Sequence, residues 1–321
     1  MSEESIDRAF TARSPYGMLA EPTYSGALSF MRRNYTKNLK GVDVAVTGVP
    51  LDLATSNRPG ARFGPAGIRK ASAQLAWGPP WPWGFDPFEK LAVIDYGDCD
   101  FDPGRPDRIL AAIEEHARTI LDAGVSMLAL GGDHFITYPL LRAHAKVHGP
   151  LSLVHFDAHT DSWSEDEWRV DHGTMFFHAM KEGLIDPGRS VQIGIRTHNE
   201  RTHGFTILDA ERVHDSPPEA TVAEIMAVVG DNKAYLTFDI DCLDPSCAPG
   251  TGTPVVGGLT TMRATQILRR LGGVNFIAMD ITEVAPVYDV GEITALAAAT
   301  LALDYLCLRA EKHRKTKPPG S

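Results

Sequence analysis

The sequence predicts an α/β fold, a single domain of three layers (α-β-α) built around a mainly parallel sheet. Three observations carry that expectation. Apolar runs of strand length alternate with stretches of helical period along nearly the whole chain. No long neutral linker and no internal repeat interrupts the alternation. Clusters of Asp and His stand directly behind several of the apolar runs, and in such sheets ligands bind outside the carboxyl ends of the strands.

The elements follow in order. Residues 1–40 are polar and irregular, and are expected to form an arm on the surface or on a neighbouring subunit. Val42 to Gly48 reads as a first strand, leading into a loop punctuated by Pro59, Gly60 and Gly64. That loop lacks the residue order of a phosphate-binding loop. Pro65 suits the first turn of a helix reaching about Trp77. A rigid Trp- and Pro-rich loop, Trp77 to Pro87, precedes a second strand at Leu91–Asp95. Ile109, Leu110, Ile113, Ala117, Ile120 and Leu121 mark a helix over Pro106–Ala123. Ser126–Leu130 is a third strand and Tyr138–Val147 a helix. Leu151–Phe156 is the fourth strand, followed by a helix over Met175–Glu182 and a strand over Val191–Arg196. A helix at Ala220–Val229, a strand at Ala234–Asp241, a helix at Thr261–Leu271 and a strand at Asn275–Thr282 come next. A long helix from Glu292 to Glu311 closes the domain, which therefore spans 41–311, and residues 312–321 form a basic, Pro-containing tail expected to fray.

At 321 residues, 43% hydrophobic and 22% charged, the chain can bury a large core. Its net charge of −10 disfavours nucleic acid or an anionic membrane as partner and suits cationic ligands. Cys99, Cys242, Cys247 and Cys307 form no CxxC pair, which fits a reducing compartment. The acidic start carries no signal-peptide pattern, and the apolar run Ile293–Leu308 is too short to span a bilayer. A cytoplasmic protein is expected.

Three strand ends offer metal-type ligands: His134, then Asp157, His159 and Asp161, then Asp239 and Asp241. Residues two apart on an extended chain share a face, so each group would converge on one side. Four carboxylates make six like-charge pairs. Each pair repels by roughly 4 kcal/mol at about 4 Å and an effective dielectric near 20. Two divalent cations cancel their formal charge. Oxygen-dominated ligation with two imidazoles and no thiolate points to Mn2+ over structural Zn2+. Strand alternation turns Cys242 to the opposite face, Asp244 reads as a turn residue, and His155 as a buried neighbour of the site.

Here the residues match a known family. Gly131-Gly-Asp-His134, Asp157-Ala-His159-Thr-Asp161, His172-Gly-Thr-Met-Phe176 and Thr237-Phe-Asp239-Ile-Asp241-Cys-Leu-Asp-Pro245 resemble the ureohydrolases, the arginase/agmatinase family. Gly250-Thr-Gly-Thr-Pro254, Gly257-Gly-Leu259 and Asp280-Ile-Thr-Glu283-Val-Ala-Pro286 extend the likeness, which runs from about Gly48 to Leu308. Leu53–Gly60, Asp171–Phe176 and Glu292–Leu303 most resemble the bacterial agmatinase branch.

The resemblance implies an arginase/deacetylase-like fold and two Mn2+ per subunit. His134, Asp157, Asp161 and Asp239 would hold one ion; Asp157, His159, Asp239 and Asp241 would hold the other. Asp157 and Asp239 would bridge them. A hydroxide between the metals would attack the guanidinium carbon of agmatine, giving putrescine and urea for polyamine synthesis. The catalytic set would be His172 as proton shuttle, Glu283 gripping the guanidinium, and Asp241 at the metals. Relatives form trimers and hexamers, so a homo-oligomer is implied.

Two alternatives stand beside this. One keeps the chemistry and changes the substrate to guanidinobutyrate, guanidinopropionate or another ω-guanidino compound. The loop 162–171 would decide, with Glu165, Asp166 and Glu167 suiting a distal ammonium and Arg169 a carboxylate. The other is a metal-loaded protein without turnover.

Overall fold

The computed structural model describes residues 23–24, 26–164 and 168–316. The apolar runs become β1 (Val44–Val49), β2 (Val93–Asp98), β3 (Ser126–Gly131), β4 (Ser152–Phe156), β5 (Val191–Ile195), β6 (Thr206–Asp209), β7 (Lys233–Asp239) and β8 (Asn275–Thr282). They pair in the order β2-β1-β3-β8-β7-β4-β5-β6, all parallel. The helices are α1 (Gly64–Ser72), α2 (Pro106–Asp122), α3 (Thr137–His148), α4 (Met175–Lys181), α5 (Ala210–Asp215), α6 (Pro218–Val229), α7 (Thr261–Leu268) and α8 (Ile293–Thr316).

Side-chain alternation along the strands sorts the core into two slabs. Val46, Leu128, Val154, Leu236 and Met279 pack on one face with Ile68 of α1, Val213 of α5, Ile225 of α6, Ile267 of α7 and Leu301 of α8. Ala45, Met127, Leu153, Tyr235 and Ala278 pack on the other with Ile113 of α2, Leu141 of α3 and Phe176 of α4. The three-layer α-β-α architecture is the one the sequence predicts. Burial on both faces explains why these strands read as continuous apolar runs.

The strand order matters more for function than the layers. The neighbours β3, β8, β7 and β4 bring their carboxyl ends together at the middle of the sheet. Phe156 pairs with Phe238, and Asp239 pairs with Thr282. Asp157 and Asp239, each one residue beyond the first pair, therefore come level with one another and with the start of the Glu283 loop.

Several expectations are corrected. The short strand β6 and helix α5 have no counterpart in the sequence reading, because Thr206–Asp209 is too short and too polar to announce itself. β7 stops at Asp239 and a 3-10 turn, Ile240–Cys242, follows. β4 ends at Phe156, so Asp157, His159 and Asp161 stand on a loop and not on an extended strand.

The expected arm is not a surface segment throughout. Phe30, Met31, Arg32 and Arg33 are buried. Phe30 N–H donates to Asp95 Oδ2 at 2.7 Å, and the Arg33 guanidinium lies 4.2 Å from the Phe88 ring centroid. Residues 1–22 and 25 of that arm, and 317–321 of the tail, lie outside the described residues. α8 continues through Thr316, beyond the expected end at Glu311. Its stretch Ile293–Lys312 is long and apolar enough to cross a bilayer, and 78% of its apolar window is buried inside the protein. Burial, not length, marks it as a core helix.

The turn after β3 depends on a residue without a side chain. Gly132 N–H donates to Val49 O at 2.8 Å and Asp133 N–H to Leu51 O at 2.7 Å. A Cβ at Gly132 would stand 1.7 Å from the Leu51 carbonyl oxygen. Gly132→Ala is therefore expected to cost about 3 kcal/mol or more through backbone displacement. Thermal unfolding of the variant beside wild type checks this, and an unchanged Tm would contradict it.

Candidate metal centre

His134 begins a short 3-10 turn behind β3, and its side chain is fully buried. Its Nδ1 lies 3.0 Å from Asp157 Oδ2, 2.9 Å from Asp161 Oδ2 and 3.2 Å from Asp239 Oδ2. The other nitrogen, Nε2, is 2.7 Å from Thr237 Oγ1. That hydroxyl donates to Asp280 Oδ1 at 2.5 Å, so its lone pair takes the Nε2–H. The network thus leaves the Nδ1 lone pair facing three carboxylate oxygens, with no hydrogen-bond partner of its own. Asp280 Oδ2 accepts from Thr137 Oγ1 and Tyr235 OH at 2.8 Å each, which fixes the base of the chain.

A second group adjoins the first. His159 Nδ1 lies 3.3 Å from Asp157 Oδ1 and 3.1 Å from Asp241 Oδ2. Asp157 therefore turns one oxygen to each group. Asp239 Oδ2 joins the His134 group, while its Oδ1 accepts the Asp241 N–H at 2.8 Å. Asp241 Oδ1 accepts from Ala158 N–H at 3.1 Å, and Oδ2 from Thr253 Oγ1 at 3.1 Å. His155 is also close enough to the first group to count as a ligand. Both its nitrogens are used, however: Nε2–H donates to Asp157 Oδ2 at 2.7 Å and Nδ1 accepts from Gln192 at 3.0 Å. It orients Asp157, in keeping with the sequence reading. Cys242 is buried with Sγ 3.5 Å from the Ile193 carbonyl and belongs to neither group. Asp244 is the expected turn residue, capping Ser246, Gly257 and Gly258.

The electrostatics describe a site built for cations. Burial lowers the His134 pKa, but the attraction of the Asp157, Asp161 and Asp239 carboxylates gathered at Nδ1 outweighs it and holds the pKa well above the ordinary value. Burial, together with the charges of Asp241 and Asp157, pushes Asp239 well above the carboxylate range. His159 is raised to about 12, with burial opposing and Asp241 and Asp157 prevailing. Without cations the cluster balances itself by holding protons. Oxygen and imidazole donors around an unpartnered buried lone pair fit divalent cations.

His172 and Glu283 flank this centre. His172 Nδ1 is 3.0 Å from Glu283 Oε1, and the His134 N–H donates to the same oxygen at 2.9 Å. Glu283 Oε2 is buried without a partner. A Cβ on Gly252 would stand 3.3 Å from that oxygen, so the missing side chain keeps space in front of it. Glu283 has φ +62 and Asp161 φ +49, left-handed conformations that cost ordinary residues about 1–3 kcal/mol. Burial lowers the His172 pKa, but the Glu283 hydrogen bond and charge, helped by Asp161 and Asp133, raise it to about 9.

A cavity of about 360 Å³ opens over the centre, lined by His159, Asp161, Asp239, His172, Trp163 and Arg169 among others. Glu283 does not line it. Arg169 Nε pairs with Asp171. Glu165, Asp166 and Glu167 lie outside the described residues.

The sequence reading missed three residues. Arg196 donates to the carbonyls of Gly194, Asp241, Cys242, Leu243 and Val255, clamping the turn that presents Asp241. A single Arg ending an apolar strand was the only available signal. Gln192 reads as an ordinary strand residue. Asp133 is fully buried, its Oδ2 accepting from Ala54 N–H at 2.9 Å, and burial with the Glu283 charge raises it to about 8.

Comparison with known proteins gives consistent matches. The family model described as the Arginase family covers residues 42–307. The chain is 59% identical to an agmatinase of Chromobacterium violaceum, over 97% of this chain and 98% of that one. It is 52% identical to an agmatinase of Serratia proteamaculans, over 91% and 96%. Its structure is similar to that of a hypothetical agmatinase from Burkholderia thailandensis, with TM-score 0.94 and 59% identity over 96% of this chain and 98% of that one. Proclavaminate amidino hydrolase from Streptomyces clavuligerus follows at TM-score 0.86 and 38% identity, over 90% and 99%.

Because Asp157 reaches both groups, Asp157→Ala should abolish cation retention at each. Added Mn2+ should raise the Tm of chelator-treated wild type through binding to the folded state and leave that of Asp157→Ala unmoved. Full Mn2+ occupancy of the variant by elemental analysis would contradict the reading.

Proposed function

The chain belongs to the arginase family, and we propose that it is an agmatinase, hydrolysing agmatine to putrescine and urea. The near-full-length match to bacterial agmatinases carries this reading.

The six residues His134, Asp157, His159, Asp161, Asp239 and Asp241 are the proposed ligands of two Mn2+. The sharing of Asp157 between two groups and the unpartnered His134 Nδ1 support the assignment. Bound divalent cations would balance the carboxylate charge and acidify water towards a nucleophile at neutral pH. Glu283 Oε2 offers a buried acceptor for a guanidinium N–H, behind the gap left by Gly252. Glu283 Oε1 is meanwhile pinned by His134 and His172. His172 holds a proton for the leaving amine, kept there by Glu283. Asp241, set by the Arg196 clamp, completes the catalytic set.

Arg169 on the cavity wall favours the second reading, a carboxylate-bearing ω-guanidino substrate. Its pairing with Asp171 balances that charge and supports agmatine instead. We take the catalytic domain as 41–311, a reading supported by the family match over 42–307. Four free cysteines support a cytoplasmic setting. A trimeric or hexameric homo-oligomer and a place in polyamine synthesis rest on the resemblance alone.

Urea release by the Mn2+-loaded protein from agmatine, guanidinobutyrate and guanidinopropionate tests the reading, with agmatine expected to lead in kcat/KM. No urea from any of them would leave a metal-binding protein without turnover. Glu283→Gln should lower kcat/KM for agmatine tenfold to a hundredfold with Mn2+ content unchanged, since charge-assisted hydrogen bonds contribute about 1.5–3 kcal/mol. Unchanged kinetics would place the guanidinium elsewhere.

A further inference from the structure

Both ring nitrogens of His172 are engaged within the protein. Nδ1 faces Glu283 Oε1 at 3.0 Å, and Nε2 lies 2.8 Å from Ser56 Oγ. The Ser56 backbone N–H also donates to Nε2 at 3.0 Å. An imidazole held at both nitrogens cannot turn an N–H to a substrate atom without breaking one of these contacts. Ser56 lines the same cavity as His172, Asp161 and Asp239, and a hydroxyl can accept one proton while donating another.

The Ser56 loop is anchored on every side. Asp52 Oδ2 accepts from Gly60 N–H at 2.8 Å, Ala54 N–H donates to Asp133 Oδ2 at 2.9 Å, and Asn57 Nδ2 donates to Gly252 O at 2.9 Å. Hydroxyl, imidazole and carboxylate thus stand in line, an order in which protons pass between hydroxyl and ring.

We propose that Ser56 is a catalytic residue of the amidinohydrolase reaction, its hydroxyl passing the His172 proton to the leaving amine nitrogen; this rests on the agmatinase reading. As the C–N bond breaks, its electron pair goes to the amine nitrogen, which takes the Ser56 hydroxyl proton. His172 Nε2–H replaces that proton on Oγ. The ring is left neutral, with Nδ1–H still on Glu283 and its Nε2 lone pair met by the Ser56 amide. That accounts for the third contact: the amide stabilises the spent ring. One proton of the attacking water recharges His172. The other leaves the carbinol oxygen as the carbonyl of urea forms and goes to the amine nitrogen, so guanidinium plus water becomes urea plus ammonium, with no proton gained or lost.

Ser56 is exposed at the cavity wall, so substitution should leave the fold intact. Ser56→Ala and Ser56→Thr are compared with wild type for agmatine kinetics and Mn2+ content. Ser56→Ala should lose about 10²- to 10⁴-fold in kcat, the range of a general acid, with KM and Mn2+ content within about twofold. Ser56→Thr, which keeps the hydroxyl, should recover to within about tenfold of wild type. A Ser56→Ala kcat above a third of wild type, or a loss that follows KM or metal content, would overturn the proposal. So would a Thr variant as slow as Ala. Failure of the agmatinase reading shows separately, as a wild type that releases no urea from agmatine.

Discussion

Four carboxylates that cannot all be charged and buried together are the constraint on which this structure turns. Asp157, Asp161, Asp239 and Asp241 are almost fully excluded from water and converge on two imidazoles. At an effective dielectric near 20, each pair at about 4 Å repels by roughly 4 kcal/mol. Only positive charge relieves that, as protons on His134 and His159 or as cations. Proton balance leaves the His134 ring carrying a charge its hydrogen bonds do not need, since Thr237 already takes the Nε2–H. The buried network beneath, from Asp280 through Thr237 to His134 and from Gln192 through His155 to Asp157, fixes where the lone pairs point. Orientation of ligands by such supporting contacts is what makes a cation site selective.

The fold class, most of the strands and the long closing helix were legible in the sequence, because burial on both sheet faces leaves apolar runs that period and length identify. The six candidate ligands were also legible, since carboxylates behind an apolar run are chemically conspicuous. Their convergence, however, does not come from strand alternation. Two-residue spacing on an extended strand does not set Asp239 beside Asp241. The strand ends, and Asp239 Oδ1 takes the Asp241 amide in a 3-10 turn. Asp161 likewise reaches His134 through a left-handed backbone turn. Spacing pointed to residues that the structure does bring together, because a tight turn after a strand gathers the same positions a pleat would.

What the sequence could not supply was the strand order. Nothing in the run Asn275–Thr282 says that β8 lies between β3 and β7. That placement brings Glu283 under the His134 turn and against His172, residues 149 and 111 positions away along the chain. Arg196 and Gln192 were illegible for a related reason. Their partners are backbone carbonyls and a histidine brought near by parallel pairing of β4 with β5 and β7.

Glu283 shows how these contacts depend on one another. Its left-handed backbone is the kind of strain that persists only where surroundings over-determine it. Here they do: Glu283 N–H donates to Gly132 O at 2.8 Å, and Oε1 accepts from both His134 and His172. Gly132 can hold that place only because it lacks a Cβ, which would run into the Leu51 backbone, and a Cβ on Gly252 would stand 3.3 Å from Oε2. Two glycines and one strained residue therefore hold a buried carboxylate, one oxygen without a partner, beside the carboxylate cluster. The loop that carries Ser56 meets this assembly at Gly252 through Asn57, at Asp133 through Ala54 and at His172 directly. The carboxylate cluster, Glu283 and the Ser56–His172 pair are in this way parts of one hydrogen-bonded unit, and a change in the β3 turn would be felt in all three.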